Sequence, residues 1–466
     1  MSYERLFVED AGRWLDENRT DVVSSYFLGR HVIHVRDPDA IQQIARSAGD
    51  FEDPGAGAPG SPPGPLRALL GGSLAALRGD AHAREREAMS APFEASYVEA
   101  HVPFVAGAAA DLARALAQSH GYARDVGELV RRAALDTVGA VGFGAGFGAL
   151  EAAMGRDVYL GSAGPPDRLM GAWLDLTRAA RALARAPAWL AWLLPAARRL
   201  RAAAAELRGT AEEMIRQRAS QGGFQRGADE SPAEGVDEAR DVLSHLLANR
   251  FRYGLSADQI RDEVMGLLVG GVDTTAATLC ACLAALCERP GLQRGIRDEV
   301  LRALDGRGVA ELTGADLRAC TLLQATWKEA LRLYPAAVAA GRTATRDTEV
   351  CGYHIPRGAL LGVSFWELHR NPALWPRALE FLPERWLAEY QAELGPTRRD
   401  AFMPFSVGPR ACLGAPLADV EGPALLAGIL AAMRLEPAPG WRPDYVQGLS
   451  LESATGFRMV THEWTF

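Results

Sequence analysis

The stretch "EVMGLLVGGVDTTAATLCACLAAL", residues 263–286, lies in the middle of the longest helical pattern in the chain. Ser256 followed by Gln259 is a capping-box start, and the pattern continues to Arg289, where Pro290 follows. Such a helix has about 33 residues and is roughly 50 Å long at 1.5 Å per residue. Since it is apolar on nearly every side, we expect it to be buried at the centre of a mainly α-helical fold.

One face of this helix has almost no side-chain bulk. Gly266, Gly270 and Thr274 recur every four residues and therefore lie on the same side. Small residues let another helix pack closely, and they also leave a groove against which a flat ligand can lie. These three residues by themselves do not separate the two interpretations.

The neighbouring positions favour a functional site. Gly270 and Gly271 each destabilise a helix by about 1 kcal/mol relative to Ala. Asp273 brings a charge into an apolar segment, which is unfavourable unless the charge is paired or used. The hydroxyls of Thr274 and Thr275 can bond back to carbonyls one turn earlier and bend the helix. We therefore expect a local distortion here, with groups beside it that can transfer protons.

The composition is that of a globular protein of 466 residues, 48% of them apolar and 23% charged. A net charge of −8 argues against a nucleic-acid partner. No run of about 18 uncharged apolar residues occurs, so we expect no stable membrane insertion. The opening stretch, "MSYERLFVEDAGRWLDENRT", carries charges throughout and lacks the layout of a signal peptide. These features predict a soluble, cytoplasmic protein.

The cysteines form neither a disulfide pattern nor a zinc pattern. No C-x-x-C pair and no H-E-x-x-H motif occurs, which argues against zinc and suits a reducing compartment. The six cysteines are Cys280, Cys282, Cys287, Cys320, Cys351 and Cys412. We expect Cys412 to act alone.

Cys412 lies in a loop, "FSVGPRACLG", whose residue types suit a metal-bound thiolate. Gly408 and Gly414 allow backbone angles that aim N–H groups at the sulfur. Arg410 can pair with an anionic cofactor, and Phe405 can shield the site. A single axial thiolate is the ligation used by oxygen-activating haem enzymes. The alternative is an unligated thiol in a loop.

The rest of the chain predicts helices with a minority of strands. We expect a hairpin over residues 25–36 around Gly29, a long loop over 52–73, and a second helix, "DLRACTLLQATWKEALRLY", that ends at Pro335. The Gly-rich stretch that starts at Ser220 predicts a surface linker. Further expectations are helices over 80–220, strands within 343–365 and a last hairpin within 448–466.

The cysteine loop resembles the cysteine-loop signature of the cytochrome P450 family at its Phe, both glycines, the Arg and the Cys. Other stretches resemble further motifs of that family in the same order along the chain. They are "HARER" (82–86), "GGVDTT" (270–275), "EALR" (329–332), Arg342 after Pro335, and "FLPERWL" (381–387). Because the matches run from about residue 80 to 460, the chain is identified as a member of that family.

The resemblance implies a fold and a cofactor. The fold would be the mainly α-helical triangular prism of that family, with a smaller β region near residues 20–60 and 340–370, in a single haem domain over 1–466. The cofactor would be haem b, with Cys412 as the iron ligand. The histidine and arginines among the implied haem contacts would bind its propionates. These contacts are His82, Arg86, Arg342, Arg410, Phe405, Gly408, Gly414, Gly270 and Gly271.

The resemblance also implies a monooxygenase that inserts one oxygen atom of O2 into a hydrophobic small molecule. Thr274 would hold dioxygen by a hydrogen bond, and Asp273 would relay protons. Electrons would come from a separate ferredoxin and ferredoxin reductase, because no flavin or iron–sulfur motif is left over. A buried structural network would support the cysteine loop, formed by Glu329, Arg332 and Arg385. We expect a monomer.

The expected substrate is bulky and hydrophobic, of the terpenoid, steroid, polyketide or fatty-acid type. The residues implied to line the pocket are small and apolar: Gly266, Val269, Val338 and Ala339. The loop over 52–73 and the segment "APAWLAWLLP", residues 186–195, would gate it. The latter segment has a second interpretation as a membrane-surface contact.

Three alternatives stay open: a peroxygenase that uses H2O2, another haem-thiolate oxidation such as epoxidation, desaturation or coupling, and a non-catalytic helper protein with this fold. The pair Asp273–Thr274 argues against the first, because peroxygenase relatives usually lose it. Cys412 argues against the helper, because those relatives lack the thiolate.

Two positions depart from the family pattern. Asp419 stands where an arginine is common, and Pro423 falls inside the helix that follows the cysteine loop, which it is expected to bend. Redox partners dock on this side in relatives. We therefore expect no simple basic docking patch, although Arg84 and Arg86 would contribute positive charge.

Overall fold

The computed structural model describes residues 11–17, 20–27, 30–47, 49–53, 70–156, 166–184, 193–221, 241–390 and 398–464. Three predicted features fall wholly or mostly outside these residues: the loop over 52–73, the linker that starts at Ser220 and the segment 186–195.

The described helices are α1 Ala11–Glu17, α2 Pro38–Arg46, α3 Gly79–Ser90, α4 Ala95–Ala117, α5 Val126–Phe143, α6 Ala149–Ala153, α7 Pro166–Ala184, α8 Pro195–Gln221, α9 Val242–Tyr253, α10 Ala257–Cys287, α11 Pro290–Leu304, α12 Gly314–Ala319, α13 Thr321–Leu333, α14 Phe365–Leu368 and α15 Ala415–Ala432. The strands are β1 Val22–Phe27, β2 Arg30–Val35, β3 Phe51–Glu52, β4 Ala123–Asp125, β5 Ala339–Ala344, β6 Thr348–Val350, β7 Tyr353–Ile355, β8 Leu360–Ser364, β9 Met433–Pro437, β10 Tyr445–Gln447, β11 Leu451–Ser453 and β12 Arg458–Glu463. The fold is mainly α-helical with a smaller β portion, as predicted.

The central helix, α10, begins and ends close to the predicted positions. Ser256 and Gln259 form the capping box, in which each side chain accepts from the other residue's backbone N–H. The helix runs for 31 residues to Cys287. Pro290 then occupies the first turn of α11, where its missing N–H is tolerated. The distortion expected near Gly270 does not interrupt the helix, which is α-helical throughout.

The second predicted helix consists of two helices, α12 and α13, so the prediction of one continuous helix is wrong. The chain leaves helical geometry at Cys320, with φ −80° and ψ 80°. Glu299 on α11 accepts the N–H groups of Leu322 and Leu323 at 3.0 Å each, and the hydroxyl of Thr321 at 3.2 Å. This carboxylate satisfies amides at the start of a new helix, which explains the break.

A five-stranded sheet joins the two predicted β regions in the order β1-β2-β8-β5-β3. The hairpin over residues 25–36 is confirmed as the antiparallel pair β1–β2, and β8 pairs parallel to β2. The predicted last hairpin is wrong, because β11 pairs with β10 while β12 pairs with β4 and β9. Both strands find partners earlier in the chain, which local turn signals do not determine.

Helices α4, α5, α10 and α15 contribute to a common apolar core. Two of them, α10 and α15, are long and apolar enough to cross a membrane, yet 72% and 61% of their apolar windows are buried inside the protein. Both are therefore core helices here. Close contact between α15 and α4 needs Gly428, since a Cβ there would lie 2.7 Å from the carbonyl oxygen of Ala109.

Candidate functional site

The cysteine loop is fixed by contacts at both of its ends. Gly408 has φ 76°, and a Cβ there would lie 2.7 Å from the carbonyl oxygen of Ala45 on α2. Only glycine combines this angle with this contact. The N–H of Cys412 donates to the carbonyl of Phe405 at 2.8 Å. The loop therefore holds the sulfur just before the first turn of α15.

The groups around the Cys412 sulfur act on its charge. Burial raises the pKa of this thiol, whereas the backbone N–H groups of Gly414 and Ala415 and the charge of Arg86 lower its pKa. The side chain is nevertheless exposed, a combination that fits the floor of a cleft. N–H groups directed at a sulfur stabilise its thiolate form, which is the arrangement that the loop sequence predicts.

Three arginines meet beside the cysteine loop; together with Asp53 we call them the arginine cradle. Arg86 donates to the carbonyl of Ala411 at 2.9 Å. Arg342 and Arg410 bind the two carboxylate oxygens of Asp53 at 2.8 Å and 3.0 Å. The predicted arginines thus come together, and sequence reasoning missed Asp53, for which no spacing rule gives a signal.

The arginine cradle carries more positive than negative charge. It contains three guanidinium groups and one carboxylate, that of Asp53, which binds Arg342 and Arg410 but not Arg86, so an excess of two positive charges remains. Burial lowers the pKa of Arg410, and the neighbouring charges of Arg342, Arg78 and Arg86 lower its pKa further, while Asp53 opposes them. Such crowding of cations is unfavourable unless an anion binds. Two carboxylates, the number of propionates on haem b, would balance the excess.

His82 lies next to the arginine cradle and adds no charge to it. The residue is buried, and burial lowers its pKa to about 4, assisted by the charges of Arg410 and Arg86. The imidazole is therefore neutral at pH 7 and can donate one N–H to an anion. Arg78 lies 4.0 Å from Glu52, which compensates its charge.

Part of the glycine face of α10 borders open space. Gly270 and Thr274 are the only exposed positions between Met265 and Cys287, a stretch that the structure describes completely. A Cβ at Gly270 would meet nothing within 4 Å. The hydroxyl of Thr274 donates to the carbonyl of Gly270 at 2.6 Å, the back-bond that the sequence predicts. These two residues form an accessible face with a hydroxyl on it.

Two other glycines of α10 serve close packing. At Gly266 a Cβ would lie 3.2 Å from Cβ of Ser73. At Gly271 it would lie 2.5 Å from Cγ2 of Val138 on α5. Gly271, expected to contact the cofactor, therefore faces a neighbouring helix, and only Gly270 of the pair borders open space.

Asp273 is buried, and its charge is paired. Arg131 on α5 donates to its Oδ1 at 3.1 Å, and Trp173 on α7 donates to the same oxygen at 3.2 Å. Oδ2 is buried and has no partner among the described residues. The sequence predicts a paired or functional acid at this position but does not name these partners. Two adjacent arginines in the apolar helix α5, Arg131 and Arg132, were the available signal.

Thr275 does not bond back to its own helix, so that prediction is wrong. Its hydroxyl donates to Oε2 of Glu421 on α15 at 3.0 Å. Glu421 is fully buried, and burial raises its pKa to about 8, while the bond from Thr275 opposes the shift. A neutral carboxylic acid therefore lies between the central helix and the helix that follows the cysteine loop.

The predicted pocket residues lie on two separate elements. Val269 is half-buried on α10, next to Gly270. Val338 is buried, and its carbonyl accepts from the N–H of Trp366 at 3.0 Å. Ala339 starts β5 and pairs with Ser364. Their role in substrate binding remains a prediction.

Glu329, Arg332 and Arg385 form a buried ion cluster, which we call the buried network. All three side chains have 0% exposure, with N–O distances of 2.8 Å between Arg332 and Glu329 and 3.0 Å between Arg385 and Glu329. Glu329 also accepts from the indole of Trp386 at 3.0 Å and the N–H of Leu382 at 2.8 Å. The carboxylate is thus fully hydrogen-bonded.

The buried network reaches the cysteine loop through one histidine. Arg332 donates to the carbonyl of His369 at 2.5 Å, and Nε2 of His369 accepts from the N–H of Met403 at 3.0 Å. Burial lowers the pKa of His369 to about 3, so its ring is neutral and can accept this bond. Met403 lies two residues before Phe405, so the network holds the entry to the loop.

The two departures on α15 have local explanations. Asp419 accepts from the indole N–H of Trp327 at 3.3 Å, and burial raises its pKa, opposed by this bond. The helix continues through Pro423 as one element of 18 residues. Asp419 is therefore bound to α13, and this position provides no positive charge for docking.

These groups form a donor set that fits an iron porphyrin. Cys412 supplies sulfur for the iron, the arginine cradle supplies cations for two carboxylates, and the accessible face at Gly270 has room for a flat ring. Fold and site together define the class of proteins that bind haem through a cysteine thiolate.

Comparisons with known proteins give the same class. The family model for cytochrome P450 matches residues 8–454. Cyclooctatin synthase of Streptomyces melanosporofaciens is 35% identical over 218 residues, which are 46% of each chain. The mitochondrial 25-hydroxyvitamin D-1 alpha hydroxylase of Homo sapiens is 35% identical over 221 residues, 47% of this chain and 42% of that protein. The aligned regions thus span about half the length of these curated relatives.

The fold is shared with a solved structure. The crystal structure of the cytochrome P450DA heme domain superposes with a TM-score of 0.80 at 21% identity, covering 99% of this chain and 94% of that one. The chain belongs to the cytochrome P450 family. Membership of this family gives haem b as its cofactor.

Proposed function

We propose that the protein is a haem-thiolate monooxygenase that inserts one oxygen atom of O2 into a bulky hydrophobic small molecule. The observation that carries the proposal is the Cys412 sulfur, which receives the N–H groups of Gly414 and Ala415 next to an arginine cradle with two uncompensated positive charges. When bound there, haem supplies oxygen activation, helped by electron donation from the thiolate.

The residues of α10 handle the protons of this reaction. Thr274 turns its hydroxyl from the Gly270 carbonyl, 2.6 Å away, into the open space and donates a hydrogen bond there. Asp273 accepts and returns protons at Oδ2, the oxygen that has no partner among the described residues. Arg131 and Trp173 hold Oδ1 of the same carboxylate and so fix its orientation.

The proposed substrate is a largely hydrocarbon molecule of the terpenoid or steroid type. Support comes from the names of two matched relatives, a cyclooctat-9-en-7-ol 5-monooxygenase and a 25-hydroxyvitamin D-1 alpha hydroxylase. Val269, Val338 and Ala339 would leave room for it, whereas Gly266 packs against Ser73. We further propose that the protein acts in secondary metabolism and is a cytoplasmic monomer consisting of one haem domain. A separate ferredoxin and its reductase would supply the electrons.

The carbon monoxide difference spectrum of the dithionite-reduced protein tests the ligation. We expect a strongly red-shifted Soret band that disappears in Cys412→Ser. Cys351→Ser is the matched control, because Cys351 is the other exposed cysteine among the described residues, and it should keep the band. A band at the position of histidine-ligated haem, or no bound haem, would contradict the proposal.

Coupling of NADPH use to product tests the oxygen chemistry, once a substrate is found with surrogate ferredoxin partners. Thr274→Ala should consume NADPH with little product, whereas Thr274→Ser keeps the hydroxyl and most of the coupling. Full coupling in Thr274→Ala would show that this hydroxyl has no part in proton delivery. Efficient turnover with H2O2 alone would favour the peroxygenase alternative.

A further inference from the structure

The turn over residues 71–77 is bound to the central helix by two acids. The N–H of Gly72 donates to Oδ2 of Asp262 at 2.7 Å, and the N–H of Leu74 donates to Oε1 of Glu263 at 2.5 Å. In both hydrogen bonds a backbone N–H donates to a side-chain carboxyl oxygen, a type of bond that is strong when the carboxyl group is ionised. The turn therefore depends on side chains that lie 190 and 189 positions away in the sequence.

The same turn is bound on its other side by Arg410. This guanidinium donates to the carbonyl of Leu74 at 3.4 Å and to the carbonyl of Leu77. Arg410 also binds Asp53 and belongs to the arginine cradle. The turn thus connects acids on α10 with an arginine two residues before Cys412, and it sets where that arginine lies.

Glu263 faces a second carboxyl group, that of Glu85 on α3. Both side chains are buried, with exposures of 2% and 3%, and they lie within hydrogen-bond reach of each other. Oε1 of Glu85 is buried and has no partner among the described residues. Oε2 of Glu85 lies 3.4 Å from the amide of Gln259. An acceptor left open beside another carboxyl group is the place for a proton.

The energetics favour one shared proton over two negative charges. Burial raises the pKa of Glu263 to about 8, and the charges of Glu85 and Asp262 raise its pKa as well, while the Leu74 amide opposes them. Burial also raises the pKa of Glu85. Two buried carboxylates in contact cannot both ionise near neutral pH.

The surrounding charges do not remove this effect. Arg84 precedes Glu85 on α3 and lowers its pKa, but burial has the larger effect. Asp262 is compensated by Arg261, whose guanidinium lies 3.0 Å from it. The turn over 71–77 contributes backbone groups, apart from the hydroxyl of Ser73, which has no partner among the described residues. A single proton therefore decides whether the pair repels.

We propose that Glu263 and Glu85 share one proton and act as positioning residues for Arg410, because the protonated pair holds the 71–77 turn that presents this arginine to the cofactor. When the turn opens, both carboxyl groups become hydrated and release the proton. The closed turn is thus favoured at lower pH and loosens as the pH rises towards 8. This property concerns the cradle and does not depend on which substrate is oxidised.

Hydrogen exchange of the full-length, haem-loaded protein tests the proposal. Exchange of the peptide over residues 70–78 is measured from pH 5 to 8 and corrected for the intrinsic pH dependence of amide exchange. Since opening releases one proton in this range, the opening constant should rise by up to about tenfold per pH unit. Glu263→Gln keeps an acceptor for Leu74 and a permanent donor for Glu85, so its opening constant should be independent of pH.

Glu87→Gln is the matched control, because Glu87 is exposed on the same helix, and it should retain the pH dependence of the unmodified protein. If Glu263→Gln does not fold, Glu85→Gln makes the same test. An equal slope in the Gln variant and the unmodified protein, or no slope in either, would overturn the shared proton.

Haem release to apomyoglobin provides the readout for Arg410. The release rate of the unmodified protein should rise between pH 6 and 8 in step with the opening of the turn, and that of Glu263→Gln should not. Turn opening without a change in haem release would overturn the positioning role. A failure of the red-shifted carbon monoxide band would instead overturn the proposed function, and it would leave the exchange slope unaffected.

Discussion

The chain contains two arginine clusters that differ in one respect: the buried network is satisfied by the chain itself, and the arginine cradle is not. In the network, Arg332 and Arg385 share Glu329 and direct their remaining N–H groups at backbone carbonyls of His369, Pro376, Arg377, Ala378 and Glu380. In the cradle, Arg342 and Arg410 share Asp53. Arg86 donates to the carbonyl of Ala411 and has no carboxylate partner among the described residues. The chain itself supplies the partners of the first cluster, and we propose that an anion completes the second.

The difference separates two uses of buried charge. A buried ion pair is rarely a large net source of stability, because desolvation opposes the Coulomb attraction, but removal of one partner leaves an uncompensated charge. The network follows this rule and holds the entry to the cysteine loop. The cradle departs from it, because burial and the neighbouring cations lower the pKa of Arg410, an effect that bound carboxylates would oppose.

The largest expected effect comes from breaking the buried network. Arg385→Met leaves Arg332 as the remaining cation at Glu329 and removes the donors of the Pro376 and Arg377 carbonyls. The free energy of unfolding should therefore fall by about 1–3 kcal/mol for each acceptor left unsatisfied. Equilibrium denaturation in urea measures this change. Arg377→Ala is the control, since its 2.6 Å pair with Glu380 is half exposed, and exposed pairs contribute about 1 kcal/mol or less. Equal losses in the two variants would remove the distinction between network and surface pair.

A substitution in the arginine cradle should weaken cofactor binding and leave the stability of the fold nearly unchanged. Arg342→Met removes one cation while Asp53 keeps Arg410 as its partner. Charge-assisted hydrogen bonds contribute about 1.5–3 kcal/mol, so haem should be released roughly 10- to 100-fold faster. The stability of the haem-free protein should change little, because crowding of cations is relieved. Transfer to apomyoglobin and urea denaturation measure the two quantities.

Arg346→Met is the matched control for the cradle variant. Arg346 forms a 2.5 Å ion pair with Asp50 near the end of the same strand, but it is 71% exposed. Its replacement should leave haem release unchanged. If both variants released haem at the same rate, a general weakening of the sheet would explain the result. The arginine cradle would then not be the site that binds the haem carboxylates.

The sequence predicts one cluster better than the other for a physical reason. Glu329 and Arg332 are three residues apart on a helix, so their pairing follows from helix geometry. The capping box at Ser256 and the β1–β2 hairpin are predicted for the same reason, because both depend on short-range spacing. The resemblance to a family adds the long-range assignments of Arg342, Arg385 and Arg410 by motif alone.

The partners that the sequence did not reveal lie far away along the chain and belong to common residue types. Arg131 pairs with Asp273 across 142 positions, and Thr275 pairs with Glu421 across 146. An arginine or glutamate in an apolar helix indicates that a partner is needed, but it does not say which one. The last hairpin failed for the same reason, since tertiary packing places β12 between β4 and β9. Tertiary contacts therefore decide what local patterns leave open.

Glu421 extends the comparison, because it is a buried acid with no cation beside it among the described residues. Its pKa is raised by burial from 4.5 to about 8, so the folded protein keeps this proton while the unfolded chain loses it above about pH 4.5. The resulting contribution to stability is present below that pH and is lost progressively up to pH 8. Glu421→Gln should therefore gain stability relative to the unmodified protein by about 1 kcal/mol per pH unit from 5 to 8.

Urea denaturation at pH 5, 6.5 and 8 measures this gain. Glu87→Gln is the control, because it makes the same substitution at an exposed position. Glu263 titrates in the same range in every variant and therefore cancels in the comparison. A difference between Glu421→Gln and the unmodified protein that is constant with pH would mean that Glu421 is ionised in the folded state.

The smallest expected effect concerns the two glycines at the middle of α10, one beside open space and the other packed against α5. Gly270→Ala adds a methyl group where nothing lies within 4 Å, so the gain in helix propensity should stabilise the haem-free protein by about 1 kcal/mol. Gly271→Ala places its methyl group 2.5 Å from Val138, and overpacking costs about 1–3 kcal/mol. Thermal unfolding of both haem-free variants should therefore rank Gly270→Ala above the unmodified protein and Gly271→Ala at or below it. The reverse ranking would place the packed side of the helix at Gly270, and the accessible face assigned to the cofactor would then be on the wrong side.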